Sequence, residues 1–325
     1  MSEVQKYSFG PVYGHETAKA ELEDALSTNR MHHGWMFKGP RGIGKFRLAM
    51  QFAAAILSGK SNSLNVDDSD HIAHLMLNDS HPDLRIIQRP FDDKGKQKAE
   101  IPVSSLRELI KFFSLRPAMG GWRVAIIDSL DELNRNGENA ILKTLEEPPP
   151  KCLIILVVHG EAQVLPTIRS RCRVLRMDLL DQSNGQHALE KIGLSPDEAK
   201  DTLSYAPGRP GIALKLKSPD ARQAARIAKS AASRPSGIDF KQLSEVISSA
   251  SKSPEAFDAA FSSLCSVAYA AAKKTDSAIA AGAWAQTHES LIALAAETKA
   301  LNQDKSQAVA NAIMQIQRTG RQVSR

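Results

Sequence analysis

Apolar positions recur along the first half of the chain in two alternating rhythms. Residues 16–26 carry them at helical spacing and stop at the polar turn Ser27-Thr28-Asn29-Arg30. Gly34-Trp35-Met36-Phe37-Lys38 is a short apolar run that leads straight into a glycine-rich loop. Residues 45–57 then place Leu48, Ala49, Phe52, Ala53 and Ile56 on one face at helical spacing. Leu84-Arg85-Ile86-Ile87, residues 124–128 and residues 153–158 read as strands, the last fully apolar in the manner of strands buried on both faces. Between them, 104–115 is a helix with Leu106, Leu109, Ile110 and Phe113 on its apolar face, and 136–146 is a helix stopped by Pro148-Pro149-Pro150. This alternation predicts an α/β domain with a mostly parallel sheet. Residues 58–100 are polar and irregular, with exposed loops expected at 59–63 and 92–96.

From about residue 178 the rhythm changes. Residues 178–217 read as a small helical unit with a break at Pro207-Gly208-Arg209-Pro210-Gly211. Beyond 218 the chain is rich in Ala, Ser and Leu and poor in strand signals, so a helical bundle follows. The expected division is 1–177, 178–217 and 218–325. A length of 325 residues, with 42% hydrophobic and 24% charged residues, fits such a globular chain. A net charge of +6 leaves a nucleic-acid partner open without requiring one. Cys152, Cys172 and Cys265 have no C-x-x-C spacing, which argues against a zinc module or a disulfide framework and fits a reducing cytosol. The first residues lack an apolar core and no run of ~18 apolar residues occurs, so a soluble, cytoplasmic protein is expected, with no membrane partner.

The glycine-rich loop carries the first chemistry. Gly39-Pro40-Arg41-Gly42-Ile43-Gly44-Lys45-Phe46 fits G-x-x-x-x-G-K-[ST] at every fixed position except the last. Gly39, Gly42 and Gly44 let backbone N–H groups turn around a polyphosphate, and Lys45 can reach its outer oxygens. Phe46 has no oxygen for Mg²⁺. Asp128, at the end of an apolar strand, occupies the place of a carboxylate that would hold that ion. It is followed by Ser129, while Asp131 and Glu132 lie beyond the strand end. No metal site is expected elsewhere. The adjacent His32 and His33 are expected to point to opposite sides of an extended segment, which favours structural or surface roles over metal ligation. His71, His74 and His81 lack carboxylate or cysteine partners at ligand spacing and are expected in solvent. Arg318, Arg321 and Arg325 read as a frayed tail, and spacing alone supports no Ser-His-Asp set.

Two longer motifs bring in a family. Asn139-Ala140-Ile141-Leu142-Lys143-Thr144-Leu145-Glu146-Glu147-Pro148-Pro149 closely resembles the N-A-L-L-K-T-L-E-E-P-P signature of the bacterial DNA polymerase III clamp-loader ATPases, an AAA+ family. About twenty residues later, Thr167-Ile168-Arg169-Ser170-Arg171-Cys172 resembles their S-R-C motif. The resemblance covers the first ~215 residues well and the rest loosely, although residues 300–308 resemble an L-N-x-D-x-x-Q-A stretch of the δ′-type members. It implies an AAA+ P-loop domain, a helical lid and an all-α C-terminal collar domain. In the family the S-R-C arginine reaches a neighbouring subunit's γ-phosphate, and Arg171 is the matching residue.

Motor members (γ/τ type) should keep a complete hydrolytic set, and this chain departs from it. Phe46 replaces the Mg²⁺-binding hydroxyl and Ser129 the catalytic Glu. The polar sensor-1 place falls on Val158 or His159, and Gly211 stands where sensor 2 has its arginine. The four-cysteine zinc module of motor members is missing from 58–100. A damaged loop beside an intact S-R-C motif resembles the δ′, or stator, members. The resemblance implies no activity for the isolated chain and no required cofactor. It implies partnership with γ/τ and δ subunits in a hetero-pentamer, and through it with a sliding clamp and primer-template DNA. Lys45 and the three glycines still permit ATP as a bound structural ligand, and an ATP-hydrolysing motor of the same family stays as the alternative.

Overall fold

The computed structural model describes residues 10–323 except 29, 61, 67–68, 93–96, 99, 160–163, 234–238 and 302. Asn29 of the predicted turn, Ser61 of the loop at 59–63, residues 93–96 of the loop at 92–96, Asn302 and Arg325 lie outside the described residues. The chain divides into two compact units, Met1–Leu180 and Asp181–Arg325. The predicted boundary at 177/178 falls three residues before the observed one, and the rest of the segments read as lid and collar, 181–325, lies in the second unit.

In the first unit the order is α1 (Glu16–Ser27), β1 (Gly34–Lys38), α2 (Lys45–Leu57), α3 (His71–Leu77), β2 (Leu84–Ile87), α4 (Val103–Ser114), β3 (Arg123–Asp128), α5 (Arg135–Glu146), β4 (Cys152–Val158), α6 (Pro166–Arg169) and β5 (Arg173–Arg176). The five strands form one sheet in the order β2-β3-β4-β1-β5, with every neighbouring pair parallel. This is the α/β architecture with a parallel sheet expected from the alternating pattern.

Strand alternation explains why both faces are apolar. On β4, Leu153, Ile155 and Val157 join Trp35, Phe37, Val124 and Ile126 against α1 and α2. Cys152, Ile154, Leu156 and Val158 join Met36, Ala125 and Ile127 against α4 and α5 on the other side. With helices on both faces no strand position in the middle of the sheet is left for a polar residue. Phe52 of α2 sits edge-on to Trp35 with ring centroids 5.5 Å apart, so the helix that opens with Lys45 is anchored by aromatic packing.

Three details differ from the sequence reading. The stretch read as irregular contains α3, started by Asp70, whose side chain accepts from the Ile72 amide. Arg173–Arg176 is a strand at the sheet edge, although its ends are charged. On α4 the buried face holds Phe112, while Ile110 is exposed.

In the second unit, α7 (Gln182–Glu190), α8 (Pro196–Tyr205) and α9 (Pro210–Ala213) precede α10 (Pro219–Ala232), α11 (Phe240–Ala250), α12 (Pro254–Lys274), α13 (Ala278–Ala300) and α14 (Lys305–Val323). Several starts are specified locally: Ser195 and Glu198 form a capping box on α8, and Asp239 and Gln242 form another on α11. Alanines make close helix approach possible, as where Ala224, Ala228 and Ala231 of α10 pack with Ala256, Phe257 and Ala260 of α12. Among the described residues no helix is long and apolar enough to cross a membrane.

Candidate functional site

The glycine-rich loop leaves the carboxyl end of β1 and enters α2, at the end of a parallel sheet where ligands of such folds are bound. Its glycines are needed for geometry. Gly42 and Gly44 adopt φ of 86° and 103°, in the region that strains side-chain-bearing residues. A Cβ on Gly39 would come 2.0 Å from the Met177 carbonyl oxygen, so the backbone passes too closely for any other residue. His15 supports the loop from outside, its Nε2 lying 2.9 Å from the Ile43 carbonyl.

Lys45 is the unexpected part of this loop. Its ammonium turns back and donates to the carbonyls of Gly39 and Pro40, both at 2.6 Å, and the residue is 2% exposed. Burial pushes its pKa down to about 7, although the nearby carboxylates of Asp131 and Asp128 pull the other way. The ammonium thus faces its own loop. Phe46, in place of a hydroxyl residue, packs against the hydrophobic core on that side of the sheet.

Asp128 does stand at the carboxyl end of β3, as its place in the sequence suggested. It accepts from Gln88 Nε2 at 3.2 Å, and burial raises its pKa despite that hydrogen bond. Ser129 is buried, its hydroxyl has no hydrogen-bond partner, and it offers no carboxylate base. Of the two candidates for the sensor-1 place, Val158 belongs to the core. His159 lies at the strand end, its Nε2 3.9 Å from Asp128 Oδ1 and its amide donating to Asp131 Oδ2 at 2.7 Å. Arg41 and Arg89 both pair with Glu132, at 2.7 and 2.8 Å. Gly39, Gly42, Gly44, Lys45 and Asp128 are therefore brought together. They do not fit Mg²⁺–triphosphate: the hydroxyl ligand is missing, the lysine faces inward and the carboxylates hold protein groups.

Arg171 stands elsewhere. The short α6 is pinned by the buried Ile168, and Arg171 follows its last turn, with its amide on the Ile168 carbonyl. Two residues on, Arg173 begins β5, opposite Trp35 of β1. Gly34 allows the close approach: a Cβ there would lie 3.1 Å from the Arg171 carbonyl oxygen and 3.0 Å from a Leu145 methyl. Since β1 and β5 run parallel, Arg171 lies at the amino end of the sheet and the glycine-rich loop at the carboxyl end. The separation from Gly34 to Gly39 is about 16 Å at ~3.3 Å per strand residue, longer than an arginine side chain. Arg171 cannot serve its own loop.

The two neighbouring arginines are used differently. Arg173 pairs with Glu21 at 2.7 Å and lies over the Trp35 ring, which ties β5 to α1. Arg171 is one-third exposed, donating to the Thr167 carbonyl at 2.9 Å and pairing with Glu146 at 2.9 Å. Burial pushes the adjacent Cys172 thiol up to about 12, so this cysteine packs and does not react.

In the second unit, Gly211 follows Arg209 by two residues. The Arg209 guanidinium donates to the Ser262 carbonyl at 3.2 Å and the Ser266 hydroxyl at 2.5 Å, both on α12. That arginine is a strut between α9 and α12. Of the histidines expected in solvent, His81 is instead 4% exposed, with Nδ1 accepting from the Asp83 amide, and burial lowers its pKa. Among the described residues no group of three His, Cys, Asp or Glu side chains is placed to hold a metal ion.

Residues 14–181, just over half of the chain, match the family described as DNA polymerase III, delta subunit. The chain belongs to this clamp-loader family of DNA polymerase III. It is 32% identical to the DNA polymerase III subunit delta′ of Pseudomonas aeruginosa over 140 residues, which is 43% of this chain and 41% of that one. It is 31% identical to the DNA polymerase III subunit tau of Escherichia coli over 187 residues, 57% of this chain and 28% of the relative. The matched part is less than half the length of either relative.

Proposed function

We propose that this chain is a δ′-type stator of a DNA polymerase III clamp loader, which lends Arg171 to a neighbouring subunit's ATP and hydrolyses none itself. Likeness to delta′ and to tau proteins is nearly equal, so the choice between stator and motor rests on the sites. The observation that carries the donated arginine is the placement of Arg171, and the choice of stator over motor rests on the glycine-rich loop. That arginine is one-third exposed, at the opposite end of the sheet from its own loop, where only a triphosphate held by another chain could meet it. The inward Lys45, Phe46 in place of a hydroxyl and the buried Ser129 support the idle half of the reading.

In this reading the partners are γ/τ and δ subunits in a hetero-pentamer of the cytoplasm, held together through the helical C-terminal segment. The assembly opens a sliding clamp and closes it on primer-template DNA during replication. A planar, permanently charged guanidinium suits charge spread over a transferring phosphoryl group. Arginine fingers contribute ~10³–10⁵ in rate. Arg171→Ala in the reconstituted complex is therefore expected to abolish turnover at one ATP site while leaving assembly intact by size-exclusion chromatography. Full activity of that complex would overturn the reading.

A further inference from the structure

The Arg171 guanidinium is not idle in the isolated chain. One terminal nitrogen donates to the Thr167 carbonyl at 2.9 Å and lies 3.4 Å from the Ser170 hydroxyl, while the other sits 2.9 Å from Glu146 Oε1. These two nitrogens form the fork that grips a phosphate through paired hydrogen bonds. Glu146 is the last residue of α5, where the exposed helix carbonyls already concentrate negative charge. A carboxylate there attracts a cation more strongly than one on a loop would. Arg171 is the cation it meets.

We propose that Glu146 is a positioning residue: it holds Arg171 on its own chain and must release it when a neighbour's triphosphate arrives. The inference rests on the stator reading above. Glu146 is about half exposed and Arg171 about one-third, so the pair is solvated and weak. A triphosphate carries more charge than one carboxylate and accepts both arms of the fork, so it displaces Glu146. The backbone contact to Thr167 needs no carboxylate and keeps the side chain over α6 during the exchange. Glu146 thereby sets how much ATP the neighbour must bind before the finger engages, without entering the chemical step.

The test is steady-state ATP turnover by the reconstituted complex carrying Glu146→Gln, which keeps shape and removes charge. The ATP concentration giving half-maximal turnover is expected to fall about 1.5–5-fold, the range of exposed ion pairs, with kcat unchanged. The shift should shrink at high salt, where surface charges are screened. In an Arg171→Ala background the same substitution should change nothing. Glu146→Ala serves as a second variant should the first fold poorly by thermal unfolding. A lower kcat, or an unchanged half-maximal concentration, overturns the proposal while leaving the stator reading in place. If Arg171→Ala itself is fully active, the stator reading fails instead.

Discussion

Lys45 and Arg171 are both cations named by nucleotide-handling motifs, yet the fold treats them in opposite ways. Lys45 is enclosed by its loop, donates hydrogen bonds to two backbone carbonyls and has its pKa driven down to about 7. Arg171 keeps a solvated side chain, a weak carboxylate partner and a charge that no protein environment removes. Burial lets an ammonium surrender its proton, whereas a guanidinium on the surface stays charged. The motif spelling is nearly intact in both places. What separates them is where each charge finds its hydrogen-bond acceptors.

The largest effect that could break this contrast comes from Arg171→Lys. Charge is kept but the planar fork is lost, so ATP turnover in the complex should recover only a minor part of the ~10³–10⁵ that an arginine finger supplies. Near-complete recovery would mean that point charge alone is needed. The loop side is sharpened by Phe52→Ala, which removes the aromatic anchor of the helix that opens with Lys45. A loss of about 3–5 kcal/mol in denaturant unfolding is expected. A loss below ~1 kcal/mol would show that α2 is held by something other than this packing.

A pH series tests the burial of Lys45. An unfolded lysine keeps its proton up to 10.5 and the folded one releases it near 7. Between those values the unfolded chain binds more protons, so stability rises with pH. The cost of charging Lys45 is fully present below about 7. Against Lys45→Met, the wild type should gain at most about 1.4 kcal/mol per pH unit across that window. A flat difference would mean that Lys45 is solvated. The smallest effect is expected at the neighbouring arginine pair: Glu21→Gln should cost about 0–1 kcal/mol and leave turnover in the complex unchanged. Reduced turnover would shift attention from Arg171 to Arg173.

Much of the sheet was legible because a strand buried on both faces has no room for polar residues, and 153–158 showed that plainly. The edge strand Arg173–Arg176 was missed since its ends are charged and one side has no strand neighbour. The seven residues of α3 are too few to show a period. His81 was read as solvated, but its burial depends on Asp83 and a local backbone turn that composition does not show. The loop and the S-R-C motif supplied the candidate residues. The direction of Lys45 was not legible, because spacing fixes which residues enter a loop and says nothing of which carbonyls they choose. Glu146 as the partner of Arg171 was equally hidden, since the two are far apart in sequence and meet only because β4 and α6 return the chain to the end of α5.

The most direct measurement compares ATP turnover by complexes reconstituted with wild-type, Lys45→Ala or Arg171→Ala forms of this chain. The account predicts wild-type turnover with Lys45→Ala and a collapse at one site with Arg171→Ala. Loss of turnover with Lys45→Ala while Arg171→Ala stays active would contradict it.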